Sequence, residues 1–202
     1  MGDSYKTITD KSEGLYKEKM SKFISFAIPV SSAEEAKELI KSYQKEYYDA
    51  RHVCWAYMIG AARTEFMSND NGEPSGTAGK PILGQINSFE VTNILIVVIR
   101  YFGGIKLGTS GLIVAYREAA AEALRAANIV EMHEQTVVTF TFPYLGMNDV
   151  MKLIKGEHMK VLNQDFNNVC TMTITIRSDW AEDFKKKITD IDGTSIQEII
   201  AE

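Results

Sequence analysis

The apolar positions of this chain change period along its length, and each change predicts an element. Residues 19–30 alternate around Phe23, Ser25 and Phe26 and read as a strand ending at Pro29. Ser31-Ser32-Ala33-Glu34-Glu35 supplies two overlapping capping boxes. Ala36, Leu39, Ile40, Tyr43 and Tyr47 then recur at the three-and-four spacing of a helix with one buried face. Residues 52–59, from His52 to Ile59, form a second strand-like run, and residues 79–89 a short helical one weakened by Pro81 and Gly84. Ile94-Leu95-Ile96-Val97-Val98-Ile99 is apolar without a break, the pattern of a strand buried on both faces. Thr109 or Ser110 is a good N-cap for a helix from about Leu112 to Asn128. The alanines of that helix, Ala119 to Ala121, Ala123, Ala126 and Ala127, allow close approach to a sheet. Strands and helices in this order place the first half in an α/β or α+β class.

From Glu134 the pattern is different. Residues 137–142 alternate as a strand and residues 148–156 read as a helix. Residues 159–166 and 169–177 form a hairpin across Asn167-Asn168. Ser178-Asp179 caps a helix to about Ile188, and residues 194–200 close as a strand. The order β-α-β-β-α-β is that of a ferredoxin-like plait. The expected fold is therefore α+β in two domains, residues 1–133 and 134–202, with the boundary near Met132 to Gln135.

Composition narrows the function classes. A hydrophobic fraction of 45% with 24% charged residues is that of an ordinary globular protein. A net charge of −5 argues against a surface that binds nucleic acid everywhere, so any such contact needs a local basic patch. Residues 134–202 hold 11 acidic and 7 basic side chains, which puts most of the excess in the second domain. Cys54 and Cys170 lie in apolar runs outside any Cys-x-x-Cys pair and read as buried free thiols. Met1-Gly2-Asp3-Ser4-Tyr5-Lys6 is polar and fits neither a signal peptide nor the myristoylation pattern, and no run reaches membrane-spanning length. A cytoplasmic protein is expected.

Eight of the 14 glycines fall between Asp70 and Gly111, seven of them in two loops flanking the buried run. The first is Asp70-Asn71-Gly72-Glu73-Pro74-Ser75-Gly76-Thr77-Ala78-Gly79-Lys80-Pro81; the second is Arg100-Tyr101-Phe102-Gly103-Gly104-Ile105-Lys106-Leu107-Gly108-Thr109-Ser110-Gly111. Together with Val97-Val98-Ile99 before the second loop, they resemble the signature of the IMPACT/YigZ family. The resemblance implies a first domain similar to the second domain of a small-subunit ribosomal protein. It implies a second domain similar to a plait of elongation factor G. Eukaryotic members restrain the starvation-responsive translation kinase by competing for its activator. This chain has an acidic plait in place of their extra N-terminal domain, so ribosome, RNA or a translation factor is the more transferable partner.

Spacing rejects several catalytic templates. Gly79-Lys80 has Pro74 and Pro81 where a P-loop needs glycine and a hydroxyl. Gly108-Thr109-Ser110-Gly111 is one residue short of a nucleophile elbow, and no Gly-x-Gly-x-x-Gly is present. His52, His133 and His158 have no partner at metal-ligand spacing and read as surface or satisfied core residues. What remains is anion recognition. Gly108, Thr109 and Ser110 open a helix whose N–H groups and dipole favour negative charge, with Arg100 and Lys106 beside it. Alternatively, Asp70 or Glu73 already occupies those donors and locks one loop onto the other. Asp70 and Glu73 also stand at a spacing usable for acid–base work or Mg2+, although Asn71-Gly72 and Pro74 more simply mark a tight turn. Trp55, Tyr57, Tyr101 and Phe102 offer faces for stacking bases, or pack in the core. The binding candidates are thus Asp70, Gly72, Glu73, Pro74, Gly76, Lys80, Arg100, Gly103, Gly104, Lys106, Gly108, Thr109 and Ser110. No catalytic residue, metal or cofactor is expected. A small enzyme acting on a phosphorylated or carboxylated compound at the same loops stays open as the alternative.

Overall fold

The computed structural model describes residues 4–155 and 159–201 and divides into two compact units, one spanning Tyr5–Met132 and one running from His133 onward. The chain is α+β in both. Gly156 and His158, and the first three residues of the N-terminal reading, lie outside the described residues.

The first unit is built on a five-stranded sheet. Its strands are β2 (Ser12–Glu18), β3 (Ser21–Pro29), β4 (His52–Ile59), β5 (Glu65–Asn69) and β6 (Ile94–Tyr101), in the order β2-β3-β6-β4-β5 with every neighbouring pair antiparallel. β1 (Ser4–Ile8) pairs separately with β7 (Ile129–His133). β6 sits at the centre because its apolar run serves both faces. Leu95, Val97 and Ile99 face the helix α1 (Ala33–Glu46), among Ile40, Tyr43, Trp55 and Tyr57. Ile94, Ile96 and Val98 face α2 (Gly79–Ser88) and α3 (Gly108–Ala126), among Ile82, Ile86, Tyr116 and Ala120. The alanines of α3 bring its backbone within reach of the sheet: Ser25 Oγ donates to the Ala119 carbonyl at 2.5 Å and Ser12 Oγ to that of Ala123 at 2.7 Å.

The ends of the helices depart from the sequence reading in three places. For α1, Ser32 Oγ accepts the Glu35 N–H at 3.2 Å, but the Glu35 carboxylate accepts from the N–H and Oγ of Ser31 instead of returning to Ser32, so one cap serves where two boxes overlapped. α3 begins at Gly108, earlier than Leu112, with Leu107 in the cap position and no side-chain cap, so neither Thr109 nor Ser110 plays that part. Gly108 takes a φ of +74° and turns the chain straight into the helix, putting Thr109 and Ser110 inside the first turn. Ser178 likewise falls inside its helix, and its hydroxyl is taken by Thr136 at 2.9 Å.

The second unit holds β8 (Gln135–Phe142), α4 (Met147–Ile154), β9 (Met159–Phe166), β10 (Cys170–Arg177), α5 (Ser178–Thr189) and β11 (Ser195–Ala201). The sheet order β11-β8-β10-β9, antiparallel throughout, is the ferredoxin-like arrangement. Alternate residues of β8 and β10, Val138, Phe140, Phe142, Met172, Ile174 and Ile176, bury against Val150, Phe184 and Ile188 of the two helices. Cys54 and Cys170 are both buried and unbridged.

Candidate functional site

A tight turn organises the first glycine-rich loop. Asn71 and Gly72 take φ values of 45° and 83°, and the Glu73 N–H reaches the Asp70 carbonyl at 3.0 Å, as in a type I′ turn. The turn sends its two carboxylates in different directions. Asp70 Oδ1 accepts the N–H groups of Ala78 at 3.0 Å and Gly79 at 2.8 Å, and Oδ2 accepts that of Gly76 at 2.8 Å. It thereby satisfies the start of α2, where no cap side chain stands. Burial opposes the charge of Asp70, but those three donors outweigh it, with Lys80 adding to them, and hold its pKa below the ordinary carboxylate value.

Glu73 goes inward. Its Oε1 accepts from Arg100 Nη1 at 2.5 Å and from the Tyr116 hydroxyl at 2.7 Å, and both partners are buried. Arg100 is the penultimate residue of β6 and lies opposite Phe23 on one side and His52 on the other. His52 Nδ1 stands 2.7 Å from the Asn71 carbonyl, which can only accept, so Nδ1 carries the proton; Nε2 is 3.7 Å from Glu73 Oε2. Cys54 Sγ lies 3.3 Å from the Tyr116 hydroxyl and 3.0 Å from the Asp70 carbonyl. Burial pushes the pKa of both the Cys54 thiol and the Tyr116 phenol upward. At neutral pH Cys54 is therefore a thiol and not an activated nucleophile.

This network forms the wall of a cleft of about 580 Å³. Gly72, Glu73 and Pro74 line it from the first loop; Arg100, Phe102, Lys106, Gly108 and Thr109 line it from β6, the second loop and the start of α3; Arg51 and His52 line it from the start of β4. Arg51 and Lys106 are exposed and have no ion-pair partner among the described residues, whereas the charge of Arg100 is balanced by Glu73. Of the two cations expected beside the helix start, only Lys106 is thus free, and Arg51 supplies the second. The buried Nε of Arg100 has no hydrogen-bond partner among the described residues. Such a cleft, with two uncompensated cations beside N–H groups that no side chain caps, suits a phosphate or carboxylate.

The other candidates lie outside it. Asp70 and Gly76 serve the start of α2, and Lys80 is exposed along that helix. Gly103 packs so tightly that a Cβ there would overlap the backbone of Met20 and Ser21, and its N–H donates to Ser21 Oγ at 3.2 Å. Gly104, at a φ of +91°, shapes the loop beyond it. Ser110 faces a separate pocket beside Tyr16 and Val114. Among the described residues, no group of three or more His, Cys, Asp or Glu side chains is placed to hold a metal ion, and no helix is long and apolar enough to cross a membrane. Of the four aromatics, Trp55 and Tyr57 stack on each other in the core and Tyr101 packs against it, leaving Phe102 on the cleft. Arg51, His52 and Tyr116 were not among the sequence-derived candidates; the strand register sets His52 beside Arg100, and no signal of this kind marks Arg51 or Tyr116.

The model of the Impact N-terminal domain family matches residues 19–124, which takes in both loops and the whole cleft. The IMPACT family member YigZ of Escherichia coli is 33% identical over 181 residues, 89% of each chain. The IMPACT family member YvyE of Bacillus subtilis is 41% identical over 147 residues, 73% of this chain and 68% of that one. A solved crystal structure described as that of a hypothetical protein is 31% identical, covers 100% of this chain and 98% of its own, and superposes with a TM-score of 0.72.

Proposed function

The chain belongs to the IMPACT family, and on that premise we propose that it is a non-enzymatic, cytoplasmic binding protein of translation whose first unit takes hold of RNA through its phosphates. One observation carries the reading: in a chain of net charge −5, Arg51 and Lys106 stand uncompensated on one cleft beside the uncapped start of α3. A local cationic cleft in an acidic protein favours a polyanion at that place and repels it elsewhere. The resemblance of family members to parts of the ribosome and of elongation factor G supports translation as the setting, and the ferredoxin-like order of the second unit agrees with it.

The test is the salt dependence of binding to a uridine oligoribonucleotide. Arg51→Ala and Lys106→Ala should each weaken binding and reduce the slope of log K against log salt by about 0.7, one phosphate contact on a single strand. Equal slopes for wild type and the double variant would reject the cleft as the RNA site.

His52 Nε2 facing Glu73 within the same cleft favours a second reading, a small enzyme acting on a phosphorylated or carboxylated compound. It requires that inorganic phosphate or a mononucleotide bind in the cleft without RNA.

A further inference from the structure

The cleft pairs its cations with a single exposed aromatic ring. Phe102 follows β6 directly, is 42% exposed and belongs to neither core of the first unit. A phenyl ring left 42% exposed on the wall of a charged cleft gains less from burial than a core ring does. Its surroundings fix it instead. The guanidinium carbon of Arg100 lies 5.6 Å from the centre of the Phe102 ring and 5.6 Å from that of Phe23, and the guanidinium carbon of Arg51 lies 6.0 Å from Phe102. Arg100 is itself held by Glu73, so the support beneath the ring is rigid before any ligand arrives.

Resting on the RNA reading above, we propose that the cleft selects single-stranded RNA, an unpaired base stacking on Phe102 while Arg51 and Lys106 take the flanking phosphates. A fixed aromatic face beside backbone-tracking cations is the arrangement that recognises single strands, because every base offers a π-face whatever its sequence. In a duplex those faces are occupied by neighbouring bases, and an A-form helix presents phosphates and hydroxyls to a protein surface. Phe102 would then have nothing to meet. The cleft volume, about 580 Å³, lies in the range of about 300–1,000 Å³ typical of small-ligand sites. It suits a splayed nucleotide better than the side of a helix.

The test compares a uridine oligoribonucleotide with a perfectly paired RNA duplex of equal phosphate count, for wild type, Phe102→Leu, Phe102→Tyr and the Arg51→Ala/Lys106→Ala double variant. Phe102→Leu should lower single-strand affinity about tenfold, leave the salt slope unchanged and leave duplex binding as it was. Phe102→Tyr, which keeps the ring, should bind as wild type does and guards against a folding defect in the leucine variant. A fluorescent adenine analogue placed in the strand should be quenched by wild type and not by Phe102→Leu. Salt-dependent single-strand binding that Phe102→Leu leaves intact would overturn the stacking proposal while sparing the RNA reading. Equal or tighter binding of the duplex by wild type would also overturn it. An absence of salt-dependent RNA binding by wild type would remove both.

Discussion

Glu73 Oε1 accepts from Arg100 Nη1 at 2.5 Å inside the first unit, a buried ion pair that ties the first glycine-rich loop to the end of β6. The Asn71-Gly72 turn supplies the direction, and Tyr116 of α3 closes the network on the same oxygen at 2.7 Å. Loop, strand and helix are thereby pinned at one point, and the wall of the cleft is set by that point.

Removing the acid alone leaves Arg100 buried without its counter-charge. Glu73→Ala should cost about 3–5 kcal/mol of stability, the penalty for breaking one side of a buried pair. Arg100→Leu added to Glu73→Ala should recover part of the loss. Urea unfolding monitored by tryptophan fluorescence measures both, and a loss below about 1 kcal/mol would mean that the pair does not organise the site.

Asp70 should show itself in the pH dependence. Its pKa is lowered in the fold, so its stabilisation is full above the unfolded value of about 3.9 and is lost as pH falls through the lower folded value. Asp70→Asn should be less stable than wild type at neutral pH by about 1–3 kcal/mol, the value of hydrogen bonds to a charged acceptor. The two proteins should converge in stability below that window. A difference constant from neutral pH into strong acid would contradict the charged-acceptor role.

Two glycines should respond oppositely to alanine. Gly103→Ala places a methyl group against the backbone of Met20 and Ser21 and should cost about 2 kcal/mol or more. Gly84, inside α2 with nothing within 4 Å of its Cβ position, should gain about 0.5–1 kcal/mol as alanine. Thermal unfolding of the two variants decides it.

We propose that residues 1–133 and 134–202 fold independently, because each compact unit has its own sheet and apolar core. Limited proteolysis should cut near Glu131 to Gln135, and each fragment should unfold cooperatively on its own. Two fragments that unfold only when joined would refute this.

The elements that carry a core were legible because burial writes a period into the sequence. The unbroken run at Ile94–Ile99 announced the central strand, and the alternation in residues 137–142 and 170–176 announced the plait. β2 and β5 are sheet edges that left no such trace: β5 is mostly exposed, and the inward positions of β2 are Ser12, Gly14, Tyr16 and Glu18, so neither carries an apolar alternation. β1 and β7, five residues each, are too short for an alternation to stand out. The start of α3 was misplaced because Gly108, at positive φ, turns the chain into the helix without any capping hydroxyl to mark the place, and the first turn is left uncapped. At the site, the two glycine-rich loops pointed to the right region. The sequence offered Asp70 or Glu73 as the residue that locks one loop onto the other; that it is Glu73, and that its partner is Arg100, 27 residues away, depends on register and turn geometry that no local pattern records. His52 and Tyr116 sit in apolar runs that read as core, and Arg51 stands just ahead of a strand with nothing local to distinguish it.

Co-sedimentation with ribosomes across a range of salt concentrations tests the central claim most directly. The protein should pellet with ribosomes at low salt and release as salt rises, and the Arg51→Ala/Lys106→Ala double variant should release at lower salt than wild type. A wild type that stays in the supernatant at low salt, or a double variant that pellets as wild type does at every concentration, would contradict it.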